Sequence, residues 1–510
     1  MSSRARRARA VVIGGGLAGI TAALGLADAG VEVTLLERRP RLGGATASFQ
    51  RGDLTVDTGQ HVFLRCCSEY LSLLRRLGVR DRVALQDRLD VTVLAPGGVR
   101  ARLRRDRLPA PTHLTRSLTG YRHLPPADRL RAVRGALVLR SLDPDDRSLD
   151  TQTLGEFLTR HGQTDTGIDA FWDVFATAAL NLPASQASLQ LAARVFRTGL
   201  LDAADAGDIG WSAVPLGELH GEAGRRALDA AGVTVRTRVA VRGPVPNTAG
   251  PDRPGPAADG PAADGRDGGS RGAGDRDAGG WGAGGWDAGG WDAGGWVVHT
   301  DGGPVTGDAV VVAVPSGDAA GLLPPGAIPV PERLSALGSS PIVNVHTVYD
   351  RPVLPLPFVA AVRSPVQWIF DRTGPSGLAE GQYLAVSVSA ADGWVDRPTE
   401  EVRAVFLPAL ADLLPRARSA RVREFFVTRE RRATFRQGLG SNALRLGAST
   451  ALPGLVLAGA WTDTGWPDTM ESAVRSGRSA VRAVLEHLTR TAPAPGPTAP
   501  ATGPARGSAA

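Results

Sequence analysis

Apolar positions in this chain alternate between short unbroken runs and helix-spaced stripes. The β-branched run 11–13 leads into a glycine cluster. A largely apolar helical stretch follows, and residues 31–36 read as a second strand that closes on Glu37. Residues 232–241 (GVTVRTRVAV) alternate as a strand. The run 308–314 (DAVVVAV) is continuously apolar, as in a strand buried on both faces. Residues 455–460 (LVLAGA) form another such run, and a helix is predicted from about Met470 to Leu488.

The middle of the chain reads differently. Residues 128–142 predict a helix with Leu130, Val133 and Leu137 on one face and Arg129, Arg131, Arg134 and Arg140 elsewhere. Residues 153–203 are mostly helical in pattern. Strands are predicted at 341–350, 366–370 and 383–389, and a helix at 400–414. One kind of sequence thus occupies both ends and the centre, with other material inserted, which predicts a discontinuous two-domain protein. Residues 11–100, 212–320 and 430–488 are assigned to the first domain, and 101–211 and 321–429 to the second. The basic stretch 1–10 is expected to be flexible.

Two stretches fall outside this patterning. Residues 247–295 are dense in Gly, Ala, Asp and Pro, with Trp281, Trp286, Trp291 and Trp296 recurring every five residues. Such a segment cannot bury enough apolar surface to offset chain entropy, so it is expected to be a disordered insertion in a hairpin. Trp296 is expected to open a strand, 296–300, paired with the continuation of 232–241. The Ala/Pro-rich tail 489–510 is expected to be disordered.

The 510 residues allow two domains with large cores. The net charge of +7 is carried by arginine alone, since the chain has no lysine. Neither zinc-finger spacing nor an RNA-binding aromatic signature accompanies it, which argues against nucleic acid. The two cysteines, Cys66 and Cys67, are adjacent, predict no disulfide and read as small residues in a helix after a strand. No apolar run reaches the ~20 residues of a membrane span. The basic N-terminus followed by an apolar stretch resembles a signal peptide, but the glycines interrupt it. The expected location is cytoplasmic. No metal site is predicted.

The chemistry concentrates in three motifs. Gly14-Gly15-Gly16-Leu17-Ala18-Gly19 between a strand and a helix, with Glu37 ending the next strand, is a dinucleotide-binding βαβ unit. Gly14 serves the tight turn, Gly16 the approach of a pyrophosphate and Gly19 the helix–strand contact. The helix N-terminus offers N–H groups to phosphate, and Glu37 offers an acceptor to a ribose hydroxyl. The second motif is Arg38-Arg39-Pro40-Arg41-Leu42-Gly43-Gly44, whose glycines, with Ala45 following, again let backbone approach a polyanion while Arg38 and Arg41 supply positive charge. The third, Asp57-Thr58-Gly59-Gln60-His61, follows a short strand, and Gly59 there allows contact with a flat ring.

Together with the C-terminal segment Gly459 to Ala473 (GAWTDTGWPDTMESA), these motifs resemble the flavin amine oxidase and phytoene desaturase superfamily. The resemblance implies FAD held by the glycine motifs and by a C-terminal strand–turn–helix. It adds Gly459, Asp463, Thr469, Met470, Glu471 and Ala473 to the cofactor residues, with Val239 placed near adenine. The implied fold is α/β: an FAD-binding Rossmann-like (GR2-type) domain assembled from discontinuous segments, with an α+β substrate domain. DTGQHVFL at 57–64, FWDVFATAALN at 171–181, VPLGELHG at 214–221 and AGAWTDTGWPDTMESAVRSG at 458–477 narrow it to the hydroxysqualene dehydroxylase family. One departure from the superfamily pattern is Ala460, where an aspartate often stands.

That family resemblance implies reductive removal of the hydroxyl of hydroxysqualene, with hydride from reduced FAD and an unknown electron donor. Its proton donor is open between His61, Asp463 and bound water, with Asn181 a weaker candidate beside its role in ending a helix. A polyisoprenoid substrate predicts contact with a membrane surface, for which 102–142 is the basic amphipathic candidate. The alternatives are a carotenoid-type desaturase, an amine or protoporphyrinogen oxidase, and a flavin-binding polyisoprenoid carrier without catalysis.

Overall fold

A computed structural model describes residues 6–247 and 294–491. The glycine-rich part forms a five-stranded parallel sheet. Its strand order is Thr234–Thr237, Glu32–Glu37, Arg9–Ile13, Ala309–Val312, Leu455–Leu457. The two central runs are buried on both faces, as parallel strands between helical layers must be. Helices Leu17–Asp28 and Met470–Thr491 pack together on this sheet. The N-terminal stretch expected to be flexible already joins the sheet at Arg9, whose backbone N–H donates to Asp308 at 2.7 Å.

The predicted strand 232–241 is two strands. Thr234–Thr237 ends where Arg238 adopts φ 60°, and Val241–Pro246 then leaves for a separate three-stranded sheet with Trp296–Thr300 and Val305–Gly307. Trp296 opens its strand and is buried there. Residues 248–293 and 492–510, which hold nearly all of the expected disordered insertion and tail, lie outside the described residues.

A seven-stranded mixed sheet forms the second lobe, in the order Val422–Thr434, Ser340–Tyr349, Gln382–Val388, Trp368–Asp371, Phe358–Ala361, Asp90–Ala95, Val99–Arg104. The hairpin 90–104 therefore belongs to this sheet, and the boundary expected at residue 100 cuts through it. The boundary at 430 likewise cuts the long strand Val422–Thr434. One face of the sheet buries Val343, Val345, Ile369 and Val386 with Val402, Phe406 and Leu410 of helix Thr399–Leu413. The other face turns toward the glycine-rich lobe.

Helix Pro126–Arg140 packs through Ala132, Gly135 and Leu139, a face narrow enough that a Cβ on Gly135 would press on Trp172 and Gln163. This leaves Leu130 and Leu137 outside, 73% and 51% exposed. Cys66 and Cys67 are free thiols in the turn before helix Ser68–Arg76 rather than within a helix.

Candidate functional site

The loop after the first strand is built by close backbone contact. A Cβ on Gly19 would overlap the Gly14 carbonyl oxygen, so only glycine lets the helix start this near the strand. Across the loop, Gly16 and Gly44 meet nearly Cα to Cα, which brings the second glycine motif onto the first. Helix Leu17–Asp28 begins at Gly16 with no side-chain cap, leaving the N–H groups around Leu17, Ala18 and Gly19 for an anion.

Glu37 stands beside this loop. Its carboxylate accepts from the N–H groups of Gly15 and Arg39, both at 2.7 Å, and keeps further lone pairs for ribose. The Val239 N–H donates to the Glu37 carbonyl at 3.0 Å, so Val239 lies at the same strand end. Arg41 is exposed near Gly43 and Ala45, and Arg38 reaches Asp318 at 3.8 Å.

The C-terminal segment arrives from the opposite end of the chain. Gly459 donates its N–H to Ser476 Oγ at 2.9 Å, and Thr469 Oγ1 accepts from Ser472 N at the start of the final helix. A Cβ on Gly477 would collide with the Ala18 carbonyl, so the two helices meet at the mouth of the glycine loop. Met470 and Ala473 lie in that helix's first turn. The Glu471 carboxylate is committed within the protein, accepting from the N–H groups of Tyr70 and Glu69 and from Arg475.

Arg445, absent from the sequence-derived set, clasps this segment. Its guanidinium donates to the carbonyls of Trp461, Ala460 and Thr462. Burial pulls its pKa down to about 10. The clasp secures the turn that contains Ala460. Asp468 was missed as well. Burial lifts its carboxyl to about 6, against the Phe435 N–H and Arg445. No local motif marks Arg445; Asp468 lies within the C-terminal segment 459–473, but its partners Phe435 and Arg445 lie outside it.

Gln60 and His61 line a narrow recess with Trp211, Phe370, Asp57 and Arg372. Phe358, Trp368 and Phe370 extend the recess into an aromatic wall on the inner face of the mixed sheet, with Trp211 packed 5.4 Å from Phe358. Burial lowers the His61 pKa against the opposing charge of Asp57. Asp463 lies apart from this recess. It pairs with Arg147 at 3.0 Å and caps the turn at Gly465. Asn181 caps its helix in the left-handed region, φ 52°, and its amide bonds Ser340, Thr434 and Ala390, a tertiary clamp. Among the described residues no His, Cys, Asp and Glu cluster could hold a metal.

Two other histidines border the site. His220 bonds the Tyr70 hydroxyl at 2.8 Å, and His346 bonds Tyr383 at 2.7 Å and Thr428 at 3.0 Å while stacking on Phe426. Burial pushes each down to about 3. Both are therefore neutral when folded, whereas the unfolded chain takes up protons as pH falls through 6.5. Their contribution to stability is full above pH 6.5 and is lost progressively toward pH 3. Thermal melts are expected to show a falling Tm across that window, with a shallower fall in His346→Gln. A flat profile in the native chain would contradict these two environments.

The buried glycine loop, the uncapped helix end and the acceptor at Glu37 fit the pyrophosphate and ribose of FAD. The Gln60 side-chain nitrogen, next to Gly59, is buried without a hydrogen-bond partner. Fold and site together define a flavin-dependent oxidoreductase. The sequence model of the family described as flavin containing amine oxidoreductase matches residues 17–216 and 290–485, and the chain belongs to that family.

Among curated relatives, hydroxysqualene dehydroxylase of Rhodopseudomonas palustris is 38% identical over 178 residues, 35% of this chain and 38% of the relative. The chain thus spans well under half of that relative's length in this match. The hydroxysqualene dehydroxylase of Zymomonas mobilis is 25% identical over 93% of this chain and 99% of its own. Zeta-carotene desaturase of Arabidopsis thaliana is 30% identical over 33% of this chain and 32% of its own. Among solved structures, an oxidoreductase from Methanosarcina mazei shares the fold at TM-score 0.67 and 16% identity, covering 94% of this chain and 100% of its own.

Proposed function

We propose that this enzyme replaces the hydroxyl of hydroxysqualene by hydrogen, giving squalene and water. The observation that carries this reading is the aromatic wall of Trp211, Phe358, Trp368 and Phe370 beside Gln60 and His61. Such a surface suits an apolar chain and can stabilise the delocalised allylic cation left when water departs. Held at the glycine loops, FAD in its reduced form would supply hydride chemistry for this carbon. The protein's part is to hold the pyrophosphate at the first glycine loop, exclude water along the aromatic wall and deliver one proton to the departing oxygen. Of the titratable groups on the recess, Asp57 is committed to Arg372, and His61 is the group we assign to carry the proton, while Asp463 keeps its ion pair with Arg147.

Carotenoid-type desaturation is the second reading, supported by the zeta-carotene desaturase match and the same apolar wall. One assay separates them. Purified protein with dithionite-reduced FAD is given hydroxysqualene, and oxidised protein is given phytoene or zeta-carotene. Squalene formation supports the dehydroxylase. Desaturated polyene without squalene replaces it by the second reading.

A substrate of this kind resides in a bilayer, and no helix among the described residues is long and apolar enough to cross one. The reading therefore places docking on the outer stripe of helix Pro126–Arg140, where exposed Leu130 and Leu137 flank exposed Arg134. Arg129 and Arg131 are engaged with Thr119 and Asp128. Changing Leu130 and Leu137 to serine is expected to lower binding to phosphatidylglycerol vesicles several-fold without altering Tm. Unchanged vesicle binding would remove this surface.

A further inference from the structure

The inner face of the mixed sheet carries one break in its apolar wall. Asn344 lies opposite Thr428 on one neighbouring strand and Ser387 on the other, and Ser387 lies opposite Trp368. Residues directly opposite share a face, so a polar row ends against the aromatic wall. Thr428 is committed to His346. Ser387 is only partly buried.

Asn344 itself is fully buried. Its side-chain nitrogen donates to the Thr58 carbonyl at 3.4 Å, which fixes the amide's orientation, because only the N–H end can bond a carbonyl. The side-chain oxygen is left buried with no hydrogen-bond partner. Thr58 immediately precedes Gly59, the glycine assigned to ring contact. Asn181, the structural asparagine of this fold, has bonds at both ends of its amide. An unpaired acceptor in such a place is costly unless a ligand donor completes it.

We propose that Asn344 selects an oxygen-bearing polyisoprenoid: its side-chain oxygen accepts a hydrogen bond from the substrate hydroxyl and so sets that carbon beside Gly59. This rests on the dehydroxylation reading and adds the group that tells hydroxysqualene from squalene. A site built to bond a hydroxyl rejects the analogue lacking it, because its own polar group is then stranded.

The test uses the FAD-loaded full chain and the variants Asn344→Leu and Asn344→Ser. Three readouts are taken: flavin content per chain, the change in flavin absorbance on titration with hydroxysqualene or squalene in detergent, and KM with kcat for squalene formation. Asn344→Leu is expected to keep its flavin, to bind hydroxysqualene roughly tenfold more weakly, and to bind squalene as the unaltered chain does. Asn344→Ser, which keeps an oxygen acceptor, is expected to recover most of the lost affinity. Equal hydroxysqualene affinity in Asn344→Leu, a parallel loss for both ligands, or loss of flavin overturns the assignment. Failure of the unaltered chain to form squalene overturns the underlying reading separately, since the two titrations need no turnover.

Discussion

Replacing Arg372 by methionine is expected to destabilise the protein by about 3–5 kcal/mol, the cost of stranding a buried charge. Arg372 and Asp57 form an ion pair at 2.6 Å with side chains 9% and 5% exposed. The guanidinium also donates to the Ser212 carbonyl at 2.9 Å, and the carboxylate accepts from Ser48 Oγ at 2.6 Å and Leu216 N at 2.9 Å. The pair joins the mixed sheet to the segment that carries Gly59, Gln60 and His61. Removing the cation leaves the Asp57 carboxylate in low dielectric with only neutral donors. The double variant Asp57→Asn with Arg372→Met is expected to recover part of the loss. Urea unfolding of all three proteins measures this, and an unchanged midpoint in Arg372→Met would show that the pair does not hold the lobes.

The second large effect is expected from Gly19→Val. Its Cβ would meet the Gly14 carbonyl oxygen, so helix Leu17–Asp28 must move off the sheet. Overpacking of this kind costs about 1–3 kcal/mol in stability. The loss in FAD affinity is expected to be larger, on the order of a hundredfold, because a shift of ~1 Å misplaces every N–H that meets the pyrophosphate. Gly321→Ala is the control, since a Cβ there meets nothing within 4 Å. Flavin titration of the three apoproteins reads the effect. Native affinity in Gly19→Val would mean that the helix N-terminus is not the phosphate site.

The first βαβ unit was legible because its logic is local: each glycine answers a neighbour within the same loop, and Glu37 ends the adjacent strand. The C-terminal segment was legible through resemblance, as its packing on the first helix joins Gly477 to Ala18 across the whole chain. What stayed hidden depends on tertiary partners. Arg445, Arg372 and Asn344 have ordinary sequence surroundings and acquire their roles from residues that folding brings near; Asp468 stands inside the C-terminal motif, but its burial comes from the tertiary fold. Arg238 split an alternating run because its positive φ, which alternation cannot reveal, redirects the chain. Helix Pro126–Arg140 shows the same limit. Its pattern puts Leu130 and Leu137 on one face without saying what that face meets, whereas in the structure the small side chains Ala132 and Gly135 pack inward, Gly135 close to Trp172 and Gln163, and Leu130 and Leu137 lie outside.

The central claim is that backbone from both ends of the chain meets around a single FAD. Its most direct measurement is the flavin absorbance of the purified chain, with and without added FAD, set against protein concentration. The account predicts a yellow protein that retains about one FAD per chain after gel filtration. A colourless protein that takes up no flavin from excess would contradict it.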